Sequence, residues 1–247
     1  MWRYVSDQCV RARVTVTAVC VLAALVSASI LRITPAAAAV PVQGLDVSDH
    51  QASINWITVH SSGAQFAYVK ATEGTTFTNA RFTSEYNGSY RAGLIRGAYH
   101  FARPNTSSGA AQARYFVAHG GGWSADGRTL PGALDMEPNP YGHTCYGLSR
   151  SAMVAWIGDF VQTYHALTSR WPVIYTALNW WTPCTGGYTG FAAQDPLWVA
   201  RYAASPGALP AGWSFYTFWQ YATSGTFPGD QDVFNGSSAR LRALAAG

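Results

Sequence analysis

The chain has 247 residues, with 16 basic against 12 acidic side chains, 49% hydrophobic residues and 14% aromatics. So few charges and so many rings exclude a disordered chain, whose composition could not bury enough apolar surface to order itself. Four basic residues (Arg3, Arg11, Arg13 and Arg32) lie in the first forty positions against one acid, Asp7, so the remainder is close to neutral and carries no polybasic patch for nucleic acid or membrane.

Those first positions read as a leader. Basic residues precede an apolar run from about Val14 to Leu31, and four alanines, Ala36 to Ala39, follow it. A basic start, an apolar stretch and a small-residue exit form the pattern of a secretory signal. The run is near the length of an uncleaved anchor, but the alanine exit favours cleavage. The expected product is one secreted domain, residues 40–247, long enough for a sizeable core. Cys9 and Cys20 leave with the leader, and Cys145 and Cys184 remain. An exported pair with no zinc-ligand spacing nearby is expected to form a disulfide.

Taken in order, the expected strands are Gln43–Val47, Phe66–Ala71, Ile95–Phe101, Ala133–Glu137, Val173–Thr176, Leu197–Tyr202, Phe215–Tyr221 and Gln231–Phe234. Most are apolar on both sides of the pleat, as in a parallel sheet covered on both faces. Helices are expected at Thr83–Ala92, Ser107–His119 and Ser149–Thr168. The last has Ser149 as N-cap and a core stripe of Met153, Trp156, Ile157, Phe160, Val161 and Tyr164. Thr182–Gly190 and Ser205–Gly212 read as loops. The pattern is that of an α/β fold: an incomplete, TIM-like (β/α) barrel, helical in its first half and strand-rich in its second.

In such barrels the chemistry sits where strands end. Asp46 ends the first strand, Asp135 and Glu137 the fourth, and Asp232 lies in the last. Residues i and i+2 of a strand share a side, about 6.5–7 Å apart. Two carboxylates at that range repel, and one is driven to keep its proton. A protonated Glu beside an ionised Asp suits glycoside cleavage, although the spacing does not choose between retention and inversion. The six histidines show no metal-ligand spacing and no phosphate loop appears, so no metal and no cofactor is expected.

Several runs together now point to a family. They are Gly44-Leu45-Asp46-Val47-Ser48, Phe66-Ala67-Tyr68-Val69-Lys70-Ala71-Thr72-Glu73-Gly74, Gly97-Ala98-Tyr99-His100-Phe101 and Asp135-Met136-Glu137. Further along come Ile174-Tyr175-Thr176, Leu197-Trp198-Val199-Ala200-Arg201-Tyr202, Trp219-Gln220-Tyr221 and Asp232 with Phe234-Asn235-Gly236. The chain after the leader resembles glycoside hydrolase family 25, the Chalaropsis-type muramidases. The resemblance implies a retaining β-1,4-N-acetylmuramidase acting on the glycan strands of peptidoglycan. It places the general acid/base on Glu137, its partner on Asp135, and further active-site acids on Asp46 and Asp232. Asp230 competes for the last role, and Asp232 is favoured because it directly precedes the Val233–Gly236 run.

Tyr68, Tyr99, Tyr175 and Trp219 lie near strand ends and are read as sugar contacts, against the alternative of barrel core. Lys70 is read as pairing with a site carboxylate or reaching to the surface. Glu73 and His100 are split evenly between site rim and structural hydrogen bonding. The chain is expected to act as a monomer. Two rivals stand beside the muramidase: a wall-binding protein without turnover, and an enzyme for another N-acetylated glycan such as chitin.

Overall fold

Strands that are apolar on both faces need cover on both, and closing the sheet into a barrel provides the inner cover. The computed structural model describes Met1 and residues 41–247, so the expected leader lies outside the described residues. Nine strands appear among the described residues: β1 (Val42–Val47), β2 (Phe66–Glu73), the two-residue β3 (Phe77–Thr78), β4 (Ile95–Phe101), β5 (Ala133–Asp135), β6 (Val173–Thr176), β7 (Leu197–Ala200), β8 (Phe218–Ala222) and β9 (Asp230–Phe234). Their order is β1-β9-β8-β7-β6-β5-β4-β2-β3, and β1 also pairs with β2, which closes eight of them into a ring. Seven ring strands run parallel. β9 is antiparallel to both neighbours, β8 and β1. The expected barrel is present, and its sheet is complete.

The helical layer is uneven. It comprises α1 (Trp56–Ser61), α2 (Phe82–Arg91), α3 (Gly109–Phe116), α4 (Arg150–Thr168), α5 (Leu178–Thr185) and α6 (Ser238–Ala246). Ser149 caps α4 by accepting from the Ala152 N–H at 3.2 Å, and the six expected core residues of that helix are all buried. They pack with α3 against the outer face of β4 and β5. Between β7 and β8 the chain runs through residues 201–217 without a helix or strand.

Three helices were not expected from the sequence. Residues 182–185 belong to α5, although Pro183 lies inside it. Burial of Trp180, Trp181 and Cys184, together with the Cys145–Cys184 disulfide (Cα–Cα 5.3 Å), holds this short helix where propensity alone argues for a loop. α1 and α6 are helices without a long periodic stripe. Both are started by a side-chain cap, Asn55 and Ser237. Leu241 and Ala245 of α6 join the core beneath the barrel, beside Val42, Val173 and Phe234.

Inward positions alternate along every strand and stack in layers. On β2 they are Phe66, Tyr68 and Lys70, from the bottom upward. The lower lumen is aromatic: Phe66 lies 5.2 Å from Phe218, and Tyr68 stacks on Trp198 at 4.8 Å between centroids. Small residues make room for these rings. A Cβ on Gly44 would stand 2.4 Å from the Phe66 ring, and one on Gly97 would stand 2.2 Å from that of Tyr68.

The Gly97→Ala protein is therefore expected to lose about 1–3 kcal/mol by overpacking. Gly122→Ala, with open space at the added methyl, should stay within about 0.5 kcal/mol of wild type. Urea denaturation midpoints compare the two.

Candidate active site

The upper layer of the lumen differs from the lower one because carboxyls replace rings. Asp46 is the fifth residue of β1 and Asp135 the last of β5. Met136 turns outward into the helix-side core and is fully buried, which returns Glu137 to the inside. The strand itself stops at Asp135, one turn of the pleat earlier than expected. The Met136 N–H still bonds to the Tyr175 carbonyl at 2.9 Å, which carries the alternation to Glu137. Asp46, Asp135 and Glu137 line one cavity of about 260 Å³ at the barrel mouth, with Lys70, Tyr99, Tyr175 and Trp198.

Direction of the last strand decides the remaining acid. Because β9 runs antiparallel, its first residue is at the mouth. Asp230 pairs across from Asp46 and lines the cavity, whereas Asp232 pairs across from Gly44, one layer down. Asp232 is fully buried and accepts from the Trp198 indole N–H at 2.8 Å. Adjacency to the Val233–Gly236 run, which ranks Asp232 above Asp230, says nothing about the direction of β9, and that direction sets which acid reaches the mouth. The geometry puts Asp230 at the surface of the cleft and Asp232 beneath it.

Two residues expected at the substrate do not reach the cleft. Tyr68 occupies the layer below Lys70, is fully buried, and donates its hydroxyl to the Pro131 carbonyl at 3.0 Å. Trp219 points to the outer face of β8, opposite Phe218 and Gln220. Its indole N–H donates to the Arg201 carbonyl, and its ring lies 5.7 Å from Tyr221. In both cases pleat parity and layer, rather than distance from the strand end, set the position. Tyr99 and Tyr175 do line the cleft.

Lys70 bridges the cleft and its rim. Its ammonium pairs with Glu73 at 2.9 Å and lies near the rings of Phe77 and Phe101. Glu73 also binds Arg103 at 3.0 Å and accepts from the Tyr141 hydroxyl at 3.0 Å, so it is a rim residue that anchors two cations. His100 faces outward instead. Its ring nitrogens contact Thr72 Oγ1 at 2.7 Å and Gln112 Oε1 at 2.9 Å, and the ring stacks on Phe160. Burial pushes its pKa down to about 4, which keeps it neutral and structural.

Gln220 and Tyr202 were not singled out from the sequence, yet both line the cleft. Gln220 donates to Asp46 Oδ2 at 2.7 Å and to Asp230 Oδ2 at 3.0 Å, and it accepts from the hydroxyls of Tyr175 and Tyr202. The available signal was its parity with Phe218 on a strand whose other face carries Trp219 and Tyr221.

Burial dominates the electrostatics. It raises Asp46 to about 7, with the charge of Asp230 adding to it and the Gln220 hydrogen bond opposing it. It raises Glu137 to about 7, opposed by Lys70. Asp135 is raised well above the ordinary carboxylate range, first by burial and then by the charge of Glu137, with Lys70 again opposing. Asp230 and Asp232 are raised by burial as well. The cleft therefore holds carboxyl protons near neutral pH, and Lys70 is its nearest cation.

These shifts carry a cost. A carboxyl whose pKa is raised on folding contributes most below its unfolded pKa, near 4.5, and that contribution is lost as pH rises through about 7. Glu137→Gln, which cannot ionise, is expected to match wild type at about pH 4 and to be more stable by about 1–3 kcal/mol above pH 7. Thermal unfolding of the two proteins across pH checks the crossover.

Comparison with known proteins agrees with this architecture. Residues 45–230 match the family model described as glycosyl hydrolases family 25. The chain is 56% identical over 209 residues to Lysozyme M1 of Streptomyces globisporus, covering 83% of this chain and 71% of that protein. It is 49% identical over 210 residues to the N,O-diacetylmuramidase of a Chalaropsis species, covering 83% of this chain and all of that one. Among solved structures, the muramidase from Acremonium alcalophilum superposes with a TM-score of 0.83 at 60% identity, over 83% of this chain and 99% of that chain. With a family match over three quarters of its length and a closed barrel with acids at its mouth, the chain belongs to glycosyl hydrolase family 25.

Proposed function

We propose that this chain is an exported lysozyme that cleaves the β-1,4 bond between N-acetylmuramic acid and N-acetylglucosamine in peptidoglycan, with retention at the anomeric carbon. The observation that carries the reading is the Asp135–Met136–Glu137 strand end. It sets one buried and one half-buried carboxyl, both of raised pKa, in one open cleft of a glycosidase-family barrel. The muramidase and lysozyme relatives supply the substrate class, and the disulfide suits an oxidising compartment.

In this reading Glu137 protonates the departing glycosidic oxygen, and the substrate's own 2-acetamido oxygen attacks the anomeric carbon from the opposite face. Asp135 accepts the acetamido N–H and stabilises the cationic ring that results. The pair shares protons near neutral pH, and an amide N–H bonds more strongly to a carboxylate than to a protonated acid. Substrate binding thus favours the ionised form of Asp135 and leaves the proton on Glu137. In the second step Glu137 takes a proton from water, the water oxygen bonds to the anomeric carbon, and the acetamido group is released. Lys70 tempers the charge of both acids. Tyr99 and Tyr175 offer ring faces and hydroxyls to the sugar. Asp46 supports from the adjacent wall, and Asp232 from beneath it.

A glycosidase of this design needs Glu137 protonated at the start, so activity is expected from acidic to near-neutral pH and is lost above the Glu137 pKa of about 7. Residues 40–247 incubated with purified peptidoglycan, then reduced with borohydride, should yield reduced muramic acid. Glu137→Gln should release it at least about 10²-fold more slowly, the loss associated with a general acid. Reduced glucosamine would reassign the bond cleaved. Binding to the wall with no new reducing ends would replace the enzyme reading with that of a wall-binding protein.

A further inference from the structure

The amide of Gln220 has two donor hydrogens and two acceptor lone pairs, and the structure uses all four. One N–H goes to Asp46 and the other to Asp230, while Oε1 receives the hydroxyls of Tyr175 and Tyr202 at 2.8 and 2.9 Å. Gln220 is only 2% exposed, so bulk water offers these groups little substitute. Asp46 and Asp230 are register partners on adjacent strands, side by side at the mouth. Two neighbouring carboxylates would ordinarily repel and shed one charge by taking a proton. A donor shared between them opposes that, because an ionised carboxylate oxygen accepts an N–H more strongly than the carbonyl of a protonated acid.

The reverse orientation of the amide fits poorly. It would turn Oε1 toward two carboxylates and the NH₂ toward two hydroxyls that would then need other acceptors. The tyrosine hydroxyls therefore do more than fill space: by donating to Oε1 they point the N–H groups at the acids. Tyr202 is 58% exposed at the rim, so one end of this chain of bonds is open to an incoming ligand.

We propose that Gln220 is a positioning residue that holds Asp46 and Asp230 as a fixed pair of hydrogen-bond acceptors on the β1–β9 wall of the cleft, where they receive hydroxyl hydrogens of the bound sugar. This assigns Asp230 to the binding surface, with Asp232 as the buried support below it. It rests on the glycosidase reading in one respect, that a sugar enters this cleft. Ring hydroxyls are donors as well as acceptors, and two carboxyl acceptors held at a set spacing select a ring whose hydroxyls match them. The groups facing Gln220 are Asp46 on β1, Asp230 and Asp232 on β9, Tyr175 on β6 and Tyr202 after β7. Glu137 acts on Asp46 through its charge.

Gln220→Glu keeps the shape and the acceptor for both hydroxyls but removes the paired donors. Gln220→Leu removes every bond and serves if the first variant folds poorly. Release of reducing ends from peptidoglycan is measured against pH for wild type and variants, alongside carboxyl ¹³C NMR titration of the same proteins. The expected result is an acid limb moved up by about one pH unit, with about a tenfold loss of rate below the limb and a small loss above it. The aspartate resonances should titrate correspondingly higher. A uniform drop in rate at every pH with unchanged titrations would reduce Gln220 to a packing residue and overturn the proposal. The titration arm needs no turnover, so an inactive wild type with shifted aspartates in the variants would retract the glycosidase reading and leave the positioning role supported.

Discussion

The antiparallel insertion of β9 between β8 and β1 is the constraint on which the rest of this structure depends. Seven parallel strands leave two unsatisfied edges, and a row of unpaired backbone groups on each would invite association. One strand returned between them satisfies both edges and needs only a short turn from β8, without a crossover helix. The same choice brings the start of β9, rather than its end, to the mouth of the barrel. Asp230 and Asp232 exchange places relative to a parallel reading, and the wall formed with β1 gains a second acid at the cleft surface beside Asp46.

That wall is held against its own charge. Asp46, Asp230, Asp232, Asp135 and Glu137 all have pKa values raised by burial, and Lys70 opposes the rise at Asp135 and Glu137. The aromatic lower lumen, with Gly44 and Gly97 recessed to admit Phe66 and Tyr68, gives a rigid floor beneath the acids. A floor of packed rings limits solvation from below. The protons of the cleft are therefore decided by hydrogen bonds and by whatever binds, which is what acid–base chemistry near neutral pH requires. The stability given up at the mouth is offset by the ring packing lower in the barrel, by the α3–α4 layer outside it and by the disulfide.

Much of this was legible along the chain. Apolar strands on both faces, a stripe of six core residues on α4 with its Ser149 cap, and two late cysteines able to pair follow from local chemistry. So does the pairing of Asp135 with Glu137, because pleat alternation is a local rule that survives one residue beyond the last ladder position. α5 was not legible: Pro183 speaks against a helix locally, and only the burial of Trp180, Trp181 and Cys184 overrules it. Trp219 and Tyr68 sit near strand ends in the sequence, yet one faces outward and the other lies a layer too deep.

The sequence alone determined which residues could be acids, rings or crosslinks, and which of them share a face of a strand, since side-chain identity and the period of two belong to the chain itself. Tertiary structure decided which way β9 runs, which layer each inward residue occupies, and that Gln220 meets Asp46 across 174 positions of sequence. Those are properties of barrel closure and shear, set by pairings between strands far apart in the chain, and no local pattern encodes them.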